Sequence, residues 1–404
     1  MASRSGAIAT KVAPRSTAGS TSRPAVRPRT SPGALLTLSS VVLVALGLVM
    51  ILSASSITAF ADYGSSFTFF RRQLLWAIVA FAAYFACVRV DYHRWRGLSV
   101  VLYVLSAGLL VVALVPGVGL NVGGSARWIG VGPLSFQPSE IAKLALVLVV
   151  AGVLDRKDEK SLRELGHTAL PVLPGLGLLA FLVMMQPDLG TAIVLCVIAF
   201  GLLFVAGAPL RHLVPLGVAG TGLAVVAALA EDYRRARILA FLNPWADPLN
   251  TGYQTIQSLI ALGSGGIFGV GLGASRQKWS YIPNSHTDFI FAILGEELGL
   301  LGTFMVLGMF VFIAYLGIRI AKRAPDRFGM LVASGITIWI AFQALVNMGA
   351  VTAAMPITGV PLPLVSFGGT SLLVTLAALG ILNNIAAQER KPRAAAKKRK
   401  DEER

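Results

Sequence analysis

Apolar residues fall in long runs near 35–56, 73–90, 98–116, 139–154, 169–186, 189–208, 213–230, 288–318, 330–352 and 363–387. Each run approaches the ~20 residues that a helix needs to cross ~30 Å of hydrocarbon. Backbone amides in lipid must be satisfied within their own segment, so helices are the structure these runs allow. The pattern predicts an all-α polytopic membrane protein of about ten transmembrane helices. The eighth run is long for one crossing and predicts tilt, or a kink near Gly299 or Gly302. The longest internal polar interval, 231–287, separates the seventh run from the eighth. The membrane domain is therefore set at 35–387, with 231–287 as its large loop.

Composition agrees with that reading. Of 404 residues, 55% are hydrophobic and 13% charged, and the mean hydropathy is +0.73. A soluble domain carries roughly 25% charged residues. The net charge of +16 could suggest nucleic acid, but its placement does not. Residues 1–34 and 388–404 are basic segments too poor in apolar residues to build a core, and are expected to be cytoplasmic tails. With both ends inside, the short cytoplasmic loops hold Arg89, Arg94, Arg96, Arg156, Lys157, Lys160, Arg163, Arg211, Arg319, Lys322, Arg323 and Arg327. The short exterior loops hold only Arg71, Arg72 and Arg127. That asymmetry puts the 231–287 loop outside, away from ATP. Cys87 and Cys196 lie in apolar runs and read as small hydrophobes, while the four histidines form no ligand spacing.

Candidate chemistry gathers at the exterior loops. Ser285-His286-Thr287-Asp288 closes the large loop, and a carboxylate at that border is costly to desolvate. If a helix starts near Thr287, Asp288 lies in its first turn, either as an ordinary N-terminal acid or as a functional one. In the loop after the third run, Ser139 is placed to cap the fourth helix, and Glu140 and Lys143 lie one turn apart. They read either as a structural ion pair or as a charged cavity wall. Asp188 either caps the sixth helix or joins the site. Arg234 and Arg237, one turn apart and against the charge bias, suit phosphate oxygens or a lipid headgroup. The glycine-rich run 263–273 lacks the terminal Gly-Lys-Ser/Thr of a nucleotide loop and predicts tight turns and close helix approach.

These motifs, in this order, resemble the SEDS family of cell-shape and division proteins, the group containing FtsW, RodA and SpoVE. The resemblance covers about 35–387 and rests on Leu52-Ser53-Ala54-Ser55-Ser56, Gln137-Pro138-Ser139-Glu140 with Lys143, and Gln186-Pro187-Asp188-Leu189-Gly190. It continues through Gly252-Tyr253-Gln254 with Gln257-Ser258, His286-Thr287-Asp288-Phe289-Ile290-Phe291, Gly295-Glu296-Glu297-Leu298-Gly299, Pro356 to Pro363, and Ser366-Phe367-Gly368-Gly369. The end of the first run and the long basic N-terminus look more like the division branch. One departure is Asn284, where the family often has an acid.

The resemblance implies a peptidoglycan glycosyltransferase that polymerises lipid II on the exterior membrane face. Undecaprenyl pyrophosphate would leave, a β-1,4 linkage would form with inversion, and Asp288 would be the general base. Arg127, Lys143, Arg234 and Arg237 are the cations offered to pyrophosphate. Glu140, Asp188, Gln254, Ser258, Lys278, His286 and Ser366 complete the expected substrate-binding set. No tightly bound cofactor is expected, although a divalent Mg or Mn ion is compatible with the chemistry. The implied partners are a class B penicillin-binding transpeptidase and other division proteins at the septum of the plasma membrane. A lipid II flippase and a non-catalytic scaffold are the competing readings. A transporter would place its charges along a midplane route.

Overall fold

The computed structural model describes residues 31–122, 125–131, 134–158, 164–279, 281–283 and 285–388. Residues 1–30 and 389–404 of the expected basic tails, Lys160, Arg163 and the Asn284 departure lie outside these residues, while 32–34 and 388 belong to helices. Two units separate, Met1–Ser31 and Pro32–Arg404, and every element below belongs to the second.

The first half contains α1 (Pro32–Tyr63), α2 (Thr68–Arg89), α3 (Tyr92–Leu114), α4 (Pro138–Asp155), the short α5 (Leu165–Thr168), α6 (Leu173–Met185) and α7 (Leu189–Val205). The second contains α8 (Leu210–Leu229), α9 (Asp232–Leu242), α10 (Tyr253–Gly265), α11 (Ile290–Ala321), α12 (Arg327–Val351) and α13 (Gly369–Gln388). Seven of these, α1, α2, α3, α8, α11, α12 and α13, are long and apolar enough to cross a membrane. The apolar α6 and α7 are shorter, and α4 carries Glu140, Lys143 and Asp155. Together they occupy the ten expected segments, giving a multi-pass helical membrane protein.

Helix starts are fixed by local chemistry. Asp91 accepts the His93 amide at 2.9 Å ahead of α3, Asp326 accepts the Gly329 amide at 2.9 Å ahead of α12, and Asp188 accepts the Thr191 amide at 3.0 Å ahead of α7. Pro138 opens α4, where its missing N–H is no loss. Ser139 does not cap that helix: Gln137 holds the cap position, and the Ser139 hydroxyl is buried without a partner among the described residues.

Two features go beyond the expected helices. The loop after α3 folds into a three-stranded antiparallel meander, β1 (Gly119–Val122), β2 (Ser125–Val131) and β3 (Leu134–Phe136). The large loop contains α9 and α10 rather than open chain.

The expected kink in the eighth span is at Gly299, whose φ of 67° and ψ of −163° interrupt α11. That conformation is essentially confined to glycine. The break frees backbone groups, and the glycine-rich run takes them up. Val270 and Gly271 amides donate to the carbonyls of Glu296 and Glu297, while Leu300 and Leu301 amides donate to those of Gly266 and Ile267. A Cβ on Gly299 would strike the Gly269 amide nitrogen.

Burial within the bundle is uneven. The most apolar window of α13 is 72% buried, whereas that of α8 is only 6% buried. Thus α8 stands at the margin and leaves a groove beside α7.

Candidate functional site

Asp288 is held from both flanks. The side-chain amide of Asn347, on α12, donates to the Asp288 carbonyl at 2.9 Å and to the Val360 carbonyl at 2.9 Å. Ser366 donates its hydroxyl to the Thr287 carbonyl at 2.7 Å and accepts the Leu362 amide. The Phe367 amide donates to the His286 carbonyl at 3.0 Å. Two re-entering segments, 285–289 and 356–368, are therefore stitched together. In the sequence Asn347 is an amide inside an apolar run, as is Gln343 one turn earlier, with no local pattern that marks either as functional.

Asp288 does not lie in the first turn of a helix. Helix α11 begins at Ile290 with Phe289 as its cap, so the carboxylate precedes the cap and is not in the first-turn position that favours its charge. Burial raises its pKa to about 6, against the opposing pull of Arg237 and then Arg127, while Asp188 pushes it further up. Gly359, with φ of 74°, lies beside this charge pair. A Cβ there would stand 3.7 Å from Asp288 Oδ2 and 3.9 Å from Arg237 Nη1.

The arginines converge. Arg127 donates Nε to the Gln186 carbonyl at 3.0 Å and Nη2 to the Pro187 carbonyl at 2.7 Å, tying β2 to the turn between α6 and α7. Ser125, two residues earlier on β2, donates to the same Gln186 carbonyl at 2.7 Å. On α9, Arg234 reaches back to the Ala227 carbonyl at 3.0 Å and Arg237 donates to the Ile357 carbonyl at 3.3 Å. All three line one cavity of about 280 Å³, with Gly190 and Thr358 on its wall. That cavity runs through Leu189, Ile193, Thr221 and Ala224 into an apolar groove of about 390 Å³ between α7 and α8. Arg237 also lines a second cavity of about 280 Å³ with Asn250, Tyr253 and Gln254.

The remaining expected site residues do not line the arginine cavity. Asp188 caps α7, taking both the amide and the hydroxyl of Thr191. Its neighbour Gln137 is at 3.5 Å. Glu140 and Lys143, exposed by 2% and 1%, pair at 2.8 Å within the bundle, and Lys143 also donates to Gln343 at 2.8 Å. Gln343 accepts from Trp339 and donates to the Pro361 carbonyl. Neither member of this ion pair lines the arginine cavity. The Ser258 hydroxyl donates to the Val351 carbonyl, joining α10 to α12. Lys278 bonds to the Gly273 carbonyl and faces Glu297 at 3.8 Å. Glu297 also accepts from Ser53, and Glu296 accepts from Ser275 and the Arg276 amide. This separate cluster braces the glycine-rich run against α11. His286 lies between Phe69 and Phe367, with ring centroids at 4.5 and 5.5 Å, and desolvation lowers its pKa to about 4.

Among the described residues no three His, Cys, Asp or Glu side chains converge as ligands.

The cell cycle protein model for FtsW, RodA and SpoVE matches residues 34–391. Stage V sporulation protein E of Bacillus subtilis is 46% identical over 90% of this chain and 99% of its own length. The probable peptidoglycan glycosyltransferase FtsW of Geobacter metallireducens is 41% identical over 88% and 94%, respectively. Among solved structures, a chain from work described as structural coordination of polymerization and crosslinking by a peptidoglycan synthase complex superposes with a TM-score of 0.72. It is 33% identical, over 88% of this chain and 98% of that one. The rod shape determining protein RodA of Thermus thermophilus gives a TM-score of 0.65 at 30% identity, over 88% and 96%. With a family match over 34–391, the whole of its membrane domain, the chain belongs to the SEDS family of FtsW, RodA and SpoVE cell cycle proteins.

Proposed function

We propose that the protein is a peptidoglycan glycosyltransferase that polymerises lipid II at the extracytoplasmic membrane face, in septal wall synthesis. The observation that carries this reading is a carboxylate, Asp288, beside the place where three arginines meet the mouth of an apolar groove. A diphosphate with a polyprenyl tail has that combination of charge and grease. Relatives named as peptidoglycan glycosyltransferases support the same reaction class.

Arg127, Arg234 and Arg237 bind the pyrophosphate, and the groove between α7 and α8 takes the start of the prenyl chain. The acceptor 4-hydroxyl oxygen attacks the donor anomeric carbon as the bond to pyrophosphate oxygen breaks. Its proton passes to Asp288, and the arginines stabilise the leaving diphosphate. Burial suits Asp288 to this work, because a carboxylate near pKa 6 is a stronger base than one near 4 yet is ionised at neutral pH. Pyrophosphate leaves readily, so a second acid is not required. A single-span transpeptidase of the class B penicillin-binding type is the proposed partner, supported by the synthase-complex neighbour.

The test is purified protein, with and without its cognate transpeptidase, incubated with labelled lipid II. Wild type should form glycan strands, and Asp288→Asn should form none while still binding the partner. Equal product from that variant would overturn the assignment of the base. Lipid II crossing liposome membranes without polymer would favour a flippase, and transpeptidase stimulation without polymer a scaffold.

A further inference from the structure

The end of α4 remote from Asp288 holds a cavity that the proposed reaction does not use. Gln137, at the start of α4, approaches Asp188, while Asp155 ends the helix. Around that far end a space of about 470 Å³ opens between the first turns of α3, the last turns of α4 and Pro171. Arg96, Arg156 and Lys157 line it on the polar side. Val100, Val149 and Val153 form an apolar wall.

Among the described residues its charge is only partly balanced. Arg96 pairs with Asp155 at 2.7 Å. The side chains of Arg156 and Lys157 have neither hydrogen-bond nor ion-pair partner among the described residues. The C-terminal carbonyls of α4 would repel an anion, but Arg327 of α12 brings a further cation to that end, donating to the Lys157 carbonyl at 2.8 Å just past the helix cap. Two glycines leave the room. A Cβ on Gly97 would meet nothing within 4 Å, and one on Gly152 only the Ser99 hydroxyl, at 3.9 Å.

We propose that this cavity binds an anionic phospholipid, its phosphate held by Arg156 and Lys157 with Arg96 at the edge, and an acyl chain against the three valines. Basic pockets between helices at the membrane surface suit such headgroups. A soluble phosphate would gain nothing from the valine wall, and Val100, 62% exposed, continues that wall outward from the cavity. The site is independent of the reaction at Asp288.

The experiment uses the purified full chain, with lipid retention read by native mass spectrometry and stability by thermal unfolding. Phosphatidylglycerol should be retained roughly tenfold or more over phosphatidylcholine and should raise the unfolding temperature. Arg156→Gln and Lys157→Gln should each lower retention about fivefold. Gly152→Leu, growing into open space, should expel the lipid while the lipid-free protein unfolds no earlier than wild type. Equal retention of the two lipids, or wild-type retention in the double glutamine variant, overturns the proposal. Glycerol 3-phosphate stabilising as well as phosphatidylglycerol would place a soluble phosphate there and overturn the lipid assignment.

Discussion

The side-chain amide of Asn347 donates to the backbone carbonyl of Asp288 at 2.9 Å, so the candidate base is located by a helix it does not belong to. The same amide holds the Val360 carbonyl. Asn347→Leu leaves both carbonyls unsatisfied and frees the 285–289 segment, at about 1–3 kcal/mol for each buried group. Polymerisation kcat should fall roughly 10- to 100-fold with little change in KM, since misplacement by about 1 Å can cost that much. Steady-state kinetics on labelled lipid II would measure the split; an unchanged kcat contradicts the positioning role.

With Asp288 as the proposed base, its raised pKa should set the acid limb of the activity profile. Activity should rise with pH through about 6 as the carboxylate ionises. Arg237 is the larger of the two charges opposing that rise, so Arg237→Gln should move the limb to higher pH and also raise KM. A limb that stays in place would show that the two charges do not communicate.

The same shift has a consequence for stability. The folded pKa lies above the ordinary value of 3.8, so ionisation costs folding energy that is absent near pH 4 and fully present above about pH 6. Asp288→Asn should therefore unfold later than wild type at pH 8, by roughly 1–3 kcal/mol. The gap should close as pH falls toward 4. Thermal unfolding of both proteins across that range tests the sign.

His286 should behave in the opposite sense. Its pKa is lowered from 6.5 to about 4, so the unfolded chain takes up the proton first and wild type loses stability as pH falls from about 6.5 toward 4. His286→Phe keeps the ring contacts with Phe69 and Phe367 but cannot be protonated. It should lose roughly 2–3 kcal/mol less over that interval. Parallel acid titrations of thermal stability would reveal the difference.

Gly359 should tolerate no side chain. Alanine there carries a left-handed backbone at roughly 1–2 kcal/mol and puts a methyl within contact of both Asp288 and Arg237. Gly359→Ala should lose activity while retaining most of its folded fraction by size-exclusion chromatography. Wild-type turnover would argue that the gap between those two charges is not used.

The helices were legible in the chain because lipid makes hydropathy nearly sufficient. The kink was legible because a long run contained Gly299 and Gly302. The meander at 119–136 was not, since its short strands carry glycine and lack a clear two-residue alternation. Asp288 stood out as a charge at the border of an apolar run, and Arg234 and Arg237 as cations against the charge bias. Nothing local said that Arg127 would join them, because that convergence needs β2 to be tied to the turn at 186–187. The bond from Asn347 to Asp288 crosses 59 residues and depends on tertiary packing. Lys143 looked like a phosphate ligand by charge alone, but in the bundle its charge faces Glu140 and Gln343.

The interruption at Gly299 also changes how the eighth span should be measured. From Leu300 to Ala321 the helix runs on the order of 33 Å at ~1.5 Å per residue, enough to cover ~30 Å of hydrocarbon unaided. By length, the nine-residue piece Ile290–Leu298 is then surplus to the crossing, a buried segment of the bundle that carries the chain from Asp288 to the kink. Glu296 and Glu297 ride on that segment. A hydropathy count that treats 288–318 as one rod assigns to the crossing two acids that a helix over 300–321 is long enough to leave out.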